Sequence, residues 1–282
     1  MDARDASTTQ RPSATNADEF QAITPDLAIA PAVSVVVPTL NEAANIPHVF
    51  ETIPDWVYEV ILVDGHSTDG TVAVARRLRP DVKVIHQVGT GKGNAMAAGC
   101  AAATGGIIVL IDADGSTDGS EMQSFVSALA AGADFAKGSR FAHGGGSSDI
   151  TLPRRLGNRM LDMLVNLIYG THFTDLCYGY NAFWTKHRDA IVADWDGFEV
   201  ETLMNLRAAK AGLRIQEIPS HERSRIHGTS NLNARRDGWR VLKVIVKERP
   251  RRVRPEHPRP PAPLRQDRGD GRAVRLVGQD DS

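Results

Sequence analysis

The chain has 282 residues, 41% of them hydrophobic, with a formal net charge of −1. That length supports one substantial core with embellishments, and the near-neutral balance excludes any global pull toward nucleic acid. Two cysteines, Cys100 and Cys177, are too few for a disulfide framework and read as free cytosolic thiols, while no stretch reaches the roughly 18 apolar residues of a membrane span.

Residues 1–30 are rich in Ala, Ser, Thr, Asp and Pro without period, and an N-terminus carrying Asp2 and Asp5 lacks an apolar signal core. They are expected to form a disordered extension of a non-secreted chain. Residues 33–37 are β-rich and end in Pro38-Thr39-Leu40-Asn41-Glu42; a helical pattern follows over 43–53. Residues 60–63 repeat the device, running into Asp64-Gly65-His66-Ser67-Thr68-Asp69-Gly70-Thr71 and a helix over 71–78. Asn41 and Ser67 to Asp69 have the side chains of helix N-caps. A third strand, 82–86, leads to Gly89-Thr90-Gly91-Lys92-Gly93 and an alanine-rich helix over 94–103. The apolar run 106–110 then meets Ile111-Asp112-Ala113-Asp114. Strand, polar turn and helix in alternation predict an α/β fold with a mostly parallel central sheet, right-handed crossovers and flanking helices. The polar turns gather on one sheet edge, where open α/β sheets bind ligands.

Asp112 and Asp114 stand just past the end of the fourth strand. Two carboxylates this close repel one another unless a cation joins them, and hard oxygen ligands suit Mg²⁺ or Mn²⁺. An ion held by so few carboxylates completes its shell with phosphate oxygens. Alone, the pattern also suits a solvated acidic turn.

Val35 to Glu42, Val63 to Thr71, Gly91-Lys92-Gly93-Asn94-Ala95 and Asp112-Ala113-Asp114 occur in order. Together they resemble the donor half of family-2 glycosyltransferases with the GT-A fold. Gly138-Ser139-Arg140-Phe141, the run from Thr174 to Tyr180, Phe198-Glu199-Val200-Glu201 and the run from Arg225 to Ser230 resemble the polyprenyl-phosphate, dolichol-phosphate-mannose-synthase-like branch. The likeness covers about residues 32–248, within an expected domain of 31–249.

The resemblance implies a metal at Asp114, with Asp112 beside it as a second ligand or reaching the ribose and metal-bound water. It places Asp64 at the base or ribose, and Pro38 and Glu42 at the nucleotide edge. Lys92, flanked by glycines that let the backbone approach, suits a phosphate or base contact. Arg140, Arg154 and Arg225 match the branch's phosphate-binding arginines, for which bidentate guanidinium geometry is apt. A lipid phosphate is already anionic and needs no general base. A hydroxyl acceptor would need one, with Asp175 the first candidate and Glu201, on an expected helix over 198–211, an alternative that could instead orient an arginine. Three positions depart from the branch: Gly65 replaces an acid, Asn231 a lysine and Asn158 a serine.

The expected reaction is inverting transfer of a hexose from GDP-mannose or UDP-glucose to a polyprenyl phosphate, preferred over a hydroxyl of a glycan or small molecule. A sugar-nucleotide pyrophosphorylase would want a glycine- and arginine-rich loop where residues 38–42 stand; a silent binding module is the other rival. Residues 205–254 hold 14 Lys or Arg against 4 Asp or Glu. Within them a helix over 232–247 carries Arg235, Arg236, Arg240, Lys243 and Lys247, with Trp239, Leu242 and Val246 as its apolar side and Val241 and Ile245 off to one side. It suits a wet basic face over the sheet, or peripheral docking on anionic headgroups at the inner face of the cell membrane. Residues 250–282 are Pro- and Arg-rich and are expected to be a disordered tail.

Overall fold

The computed structural model describes residues 31–192, 197, 199–228 and 234–248. Both expected tails lie outside these residues, as do Asn231, Leu232 and the end of the Arg225-to-Ser230 motif. A seven-stranded sheet forms the centre, in spatial order β3-β2-β1-β4-β7-β5-β8. Its strands are β1 (Val33–Thr39), β2 (Glu59–Asp64), β3 (Lys83–His86), β4 (Ile107–Leu110), β5 (Phe135–Ser139), β7 (Asn181–Trp184) and β8 (Ile215–Pro219). Only β7 runs against its neighbours, β4 and β5; the other pairings are parallel. A small parallel pair, β6 (Gly146–Ser147) and β9 (His221–Glu222), lies apart.

The apolar runs are continuous because both sheet faces are covered. Side chains alternate between faces along each strand. Val35, Val37, Val60, Leu62 and Val109 join one core with Ile46, Val49 and Phe50 of α1 (Ile46–Thr52) and Phe125 of α4 (Met122–Ala130). Val36, Ile61, Val63, Ile108 and Leu110 join the other, with Met96 and Cys100 of α3 (Gly91–Ala102) and Leu203 of α7 (Val200–Lys210). Gly99 lets α3 sit close on the sheet: a Cβ there would meet Val63 Cγ2 at 2.8 Å, and Val36 as well.

Three sequence expectations need correction at helix starts, one being α3, which begins at Gly91 and not at position 94, so that Lys92 and Gly93 lie in its first turn. α1 begins at Ile46, later than position 43, because residues 42–45 form a turn in which Asn45 and Ile46 N–H groups both donate to the Glu42 carbonyl. Pro47 then suits the first helical turn, where its missing N–H costs nothing. Asn41 and Ser67 cap neither α1 nor α2 (Thr71–Leu78), and of α2's N–H groups Asp69 accepts only that of Thr71, from outside the N-cap position (3.0 Å). They stitch the two turns together instead. Asn41 N–H donates to Ser67 Oγ (2.9 Å), Thr68 N–H to Asn41 Oδ1 (2.8 Å) and Ala43 N–H to Asp69 Oδ2 (2.9 Å).

The remaining helices are α5 (Leu152–Tyr169), α6 (Arg188–Ile191) and α8 (Ala234–Glu248). α8 packs on α7 and α5, with the Tyr169 hydroxyl donating to the Ile245 carbonyl at 2.9 Å. Its inner side is Val241, Val244 and Ile245, whereas Trp239 and Val246 are exposed. The expected apolar side was therefore rotated: the residues set aside in sequence are the buried ones. Among the described residues, no helix is long and apolar enough to cross a membrane.

Candidate active site

Parallel strands bring their carboxyl ends to one edge. β1 ends beside β2 with Thr39 opposite Asp64, and β4 lies on β1's other side. Asp64, Pro38, Glu42, Asp112, Asp114 and Lys92 all collect at this edge because each follows or ends a strand there. Asn41 and His66 take positive φ in the two turns, 55° and 69°. Asn and His both enter that region more readily than most side chains. Asp64, at the start of the second turn, is almost fully buried, accepting from Ser67 N–H (3.2 Å) and facing His86 Nδ1 (3.3 Å).

The acidic pair is neutralised by the chain's own cations. Lys92 Nζ, at the start of α3, lies 2.5 Å from Asp112 Oδ1 and 2.5 Å from Glu201 Oε1. Burial opposes charge on Lys92, but the two carboxylates outweigh it and raise its pKa. Burial likewise raises that of Glu201, which Lys92 counters. Gly179 closes the back of this cluster: a Cβ there would lie 2.7 Å from Glu201 Oε1, 3.0 Å from Asp112 Oδ2 and 3.2 Å from Lys92 Nζ.

Asp114 is held from two sides. Ser116 donates its N–H (3.0 Å) and hydroxyl (2.6 Å) to Oδ1, and Arg225 Nη2 lies 2.8 Å from Oδ2. Arg225 Nη1 also reaches Glu42 Oε1 at 3.2 Å. Burial pushes the Glu42 carboxyl pKa up, with Asp114 adding to it, against the lowering effect of Asn45 and Arg225. The strap carrying Arg225 is pinned by His227, whose N–H donates to Asn45 Oδ1 (3.0 Å) while Asn45 Nδ2 donates back to its carbonyl (3.2 Å). Arg225 is thus a partner of Glu42 and Asp114.

A second cluster stands past β5. Arg140 grips Asp175 with Nε (2.7 Å) and Nη2 (2.9 Å), and Glu222 with Nη1 (3.1 Å to each oxygen). Asn158 Nδ2 adds 3.3 Å to Asp175 Oδ1, and the Arg140 guanidinium lies over the Tyr178 ring at 5.0 Å. Asp175 is 0% exposed. Burial alone would raise its pKa; Arg140 outweighs burial and lowers it. An arginine with both ends occupied has little left for an external phosphate, and an ion-paired carboxylate without solvent makes a weak base. Arg154 joins neither cluster and pairs with Asp149 at 3.4 Å.

Several contributors were missed in sequence. Glu222 carries no motif signal. Lys137, wholly buried in β5, donates to the Gly138 (3.1 Å) and Tyr178 (3.3 Å) carbonyls. Gly179 lay inside a quoted motif, but its function is packing and invisible in one dimension.

The donor set fits a hard divalent ion. Asp112 and Asp114 are half-buried oxygen donors already facing cationic groups, so the site is built to hold positive charge. Among the described residues no group of three or more His, Cys, Asp or Glu side chains forms a complete cage. A Mg²⁺ or Mn²⁺ ion there would share its shell with phosphate and water.

Residues 34–190 match the family profile of glycosyl transferase family 2. Glycosyltransferase AglJ of Haloferax volcanii is 32% identical over 232 residues, 80% of this chain and 74% of that one. Polyprenol monophosphomannose synthase of Mycolicibacterium smegmatis is 30% identical over 216 residues, 71% of this chain and 80% of that one. Among solved structures, glucosyl-3-phosphoglycerate synthase from Mycobacterium tuberculosis, in complex with Mn²⁺, UDP and glucosyl-3-phosphoglycerate, superposes with a TM-score of 0.62 at 22% identity, covering 77% of this chain and 79% of that one. With the profile spanning more than half of the sequence and the sheet matching in space, the chain belongs to glycosyl transferase family 2 and is a glycosyltransferase of the GT-A fold.

Proposed function

We propose that this glycosyltransferase moves a hexose from GDP-mannose or UDP-glucose to a polyprenyl phosphate, inverting the anomeric centre by direct displacement. The observation that carries the acceptor assignment is the state of the two expected bases. Asp175 is sealed under Arg140 at 2.7 Å, and Glu201 is held by Lys92 at 2.5 Å. Neither is free to take a proton, and an acceptor that arrives as an anion needs no base. The likeness to a polyprenol monophosphomannose synthase supports the same reading.

Mg²⁺ or Mn²⁺ at Asp112 and Asp114 would supply positive charge against the departing diphosphate. Lys92 orients Asp112 and adds a cation at that edge, with Glu201 fixing Lys92. Pro38, Glu42 and Asp64 line the nucleotide edge. Arg225 is placed to exchange its hold on Asp114 for a phosphate once a metal takes that carboxylate. Arg140 braces Asp175 and the turn around it, while Arg154, at the start of α5 and paired with Asp149, is the candidate to meet the acceptor phosphate. The chain works at the inner face of the cell membrane, touching it peripherally through the exposed basic side of α8, which includes Arg240 and Lys243.

A hydroxyl acceptor is the second reading, favoured by the structural neighbour bound to glucosyl-3-phosphoglycerate. Thermal-shift screening of nucleotide sugars with Mn²⁺, followed by assays with short polyprenyl phosphates and lipid-free hydroxyl compounds, decides between them. Transfer to lipid phosphate supports the proposal; transfer only to hydroxyl compounds overturns it and returns Asp175 or Glu201 to the role of base.

A further inference from the structure

α5 shows an apolar face to solvent that no element among the described residues covers. Leu152, Leu156, Met160, Met163 and Leu167 are 60 to 84% exposed. At 3.6 residues per turn these five fall within a stripe about 80° wide running the length of the helix. The opposite side of the same helix is the buried one, with Asn158, Asp162 and Val165 facing the protein. A stripe of this kind marks an interaction surface.

Its edge is cationic. Arg155 and Arg159 follow the stripe along one side, both exposed, and neither has a carboxylate partner among the described residues. Arg155 lies over the Phe141 ring at 5.4 Å, and the other side of the relationship is Arg140, 5.6 Å from the same ring. Arg155 and Arg159 line a cavity of about 280 Å³ together with Phe141, Met163, Phe173 and Thr174, and the buried Asp162 and half-buried Asn166 complete its wall. The cavity thus runs from the apolar stripe toward the strand end that carries Arg140.

The charge pattern selects the occupant. The one acid of α5, Asp162, is buried, so the exposed side of the helix offers guanidinium groups and hydrocarbon but no carboxylate. Two copies joined stripe to stripe would set these arginines together without counter-charge. An anionic bilayer meets both demands at once: acyl chains for the leucines and methionines, phosphates for the guanidinium groups.

We propose that α5 is a membrane-docking helix that seats its Leu152-to-Leu167 stripe in a bilayer containing anionic lipid, with Arg155 and Arg159 holding lipid phosphate at the cavity mouth. The inference deepens the acceptor assignment above and rests on it only for what the docked enzyme then glycosylates.

The test uses the full chain and sedimentation with sucrose-loaded vesicles of phosphatidylcholine alone or with 30 mol% (about one lipid in three) phosphatidylglycerol. The wild-type chain is expected to partition onto the anionic vesicles at least about tenfold more than onto neutral ones. Leu156→Gln/Met160→Gln/Leu167→Gln should lower that partition about tenfold or more. Arg155→Gln/Arg159→Gln should lower the preference for anionic lipid severalfold, leaving the share that the basic side of α8 supplies. Circular dichroism and thermal unfolding check the fold, and the arginine pair decides the matter if the triple variant does not fold. Wild-type chain left in the supernatant, partition unchanged in both variants, or a solution dimer that the triple variant dissociates would each overturn the proposal. Transfer to a water-soluble short polyprenyl phosphate without vesicles tests the acceptor reading separately: loss there with docking retained refutes the acceptor alone, and the converse refutes docking alone.

Discussion

Lys92 Nζ sits midway between Asp112 Oδ1 and Glu201 Oε1, 2.5 Å from each. One cation therefore ties Asp112 to a buried carboxylate of α7. Removing either partner leaves an uncompensated charge, which costs about 3–5 kcal/mol in buried pairs. Lys92→Met is expected to lower stability by about 3 kcal/mol and to weaken Mn²⁺–nucleotide binding. Glu201→Gln should weaken that binding with a smaller stability loss. Denaturant unfolding and calorimetric titration separate the two effects; wild-type affinity in both variants would remove Lys92 from the donor site.

Gly179→Ala tests the same cluster from behind. Its Cβ would press within 2.7 Å of Glu201 Oε1 and 3.0 Å of Asp112 Oδ2. Overpacking of this kind costs about 1–3 kcal/mol, and here it should appear chiefly as a weaker nucleotide Kd, by about tenfold. Titration with unchanged affinity would show that the cluster yields without consequence.

Asp114→Ala is expected to abolish transfer, by about a thousandfold or more, and to abolish metal-dependent nucleotide binding while the thermal transition stays within a few degrees. Turnover at the wild-type rate in that variant would remove the acidic pair from the chemistry.

The Arg140–Asp175 pair carries a pH signature. Because Arg140 holds the Asp175 pKa below its usual range, the pair's stabilisation is present above the unfolded value, about 3.9, and is lost as pH falls through the folded one. Asp175→Asn should therefore cost about 3 kcal/mol or more at pH 7 and flatten the acid limb of the stability curve. Equal acid sensitivity in the two proteins, followed by denaturant melts from about pH 6 down to pH 3, would contradict this.

Asp162 has the opposite sign. Burial pushes its carboxyl up to about 7, with the Asp175 charge adding to the shift and the Leu176 N–H opposing it. The native state binds this proton more tightly than the unfolded chain does. Its contribution to stability is complete below about pH 4 and declines as pH rises toward 7. Asp162→Asn is expected to stabilise the fold at pH 8 by roughly 1–3 kcal/mol, and far less near pH 5. A variant less stable than wild type at pH 8 would show that the carboxylate, not its proton, is what the fold uses.

Strand, turn and helix were legible along the chain because their causes are local: β-branched runs, polar turns and helical period act over a few residues. The same locality put Asp64, Asp112 and Asp114 at one sheet edge, since parallel strands must end together. The helix caps were misread for the opposite reason. Asn41 and Asp69 have capping side chains, but the neighbouring turn offers partners some 26 residues away that no local rule weighs.

What this sequence determined by itself was a mostly parallel α/β sheet, the edge where its acids gather and the family to which its motifs belong. Tertiary structure decided the partners of each charge. Lys92 meets Glu201 across 109 positions, Arg140 meets Glu222 across 82, and Arg225 meets Glu42 across 183. An ion pair is selected by burial and distance in space, and neither quantity is written in the spacing of residues along a chain. The same holds for α5, whose two apolar sides look alike in sequence until packing covers one and leaves the other to solvent.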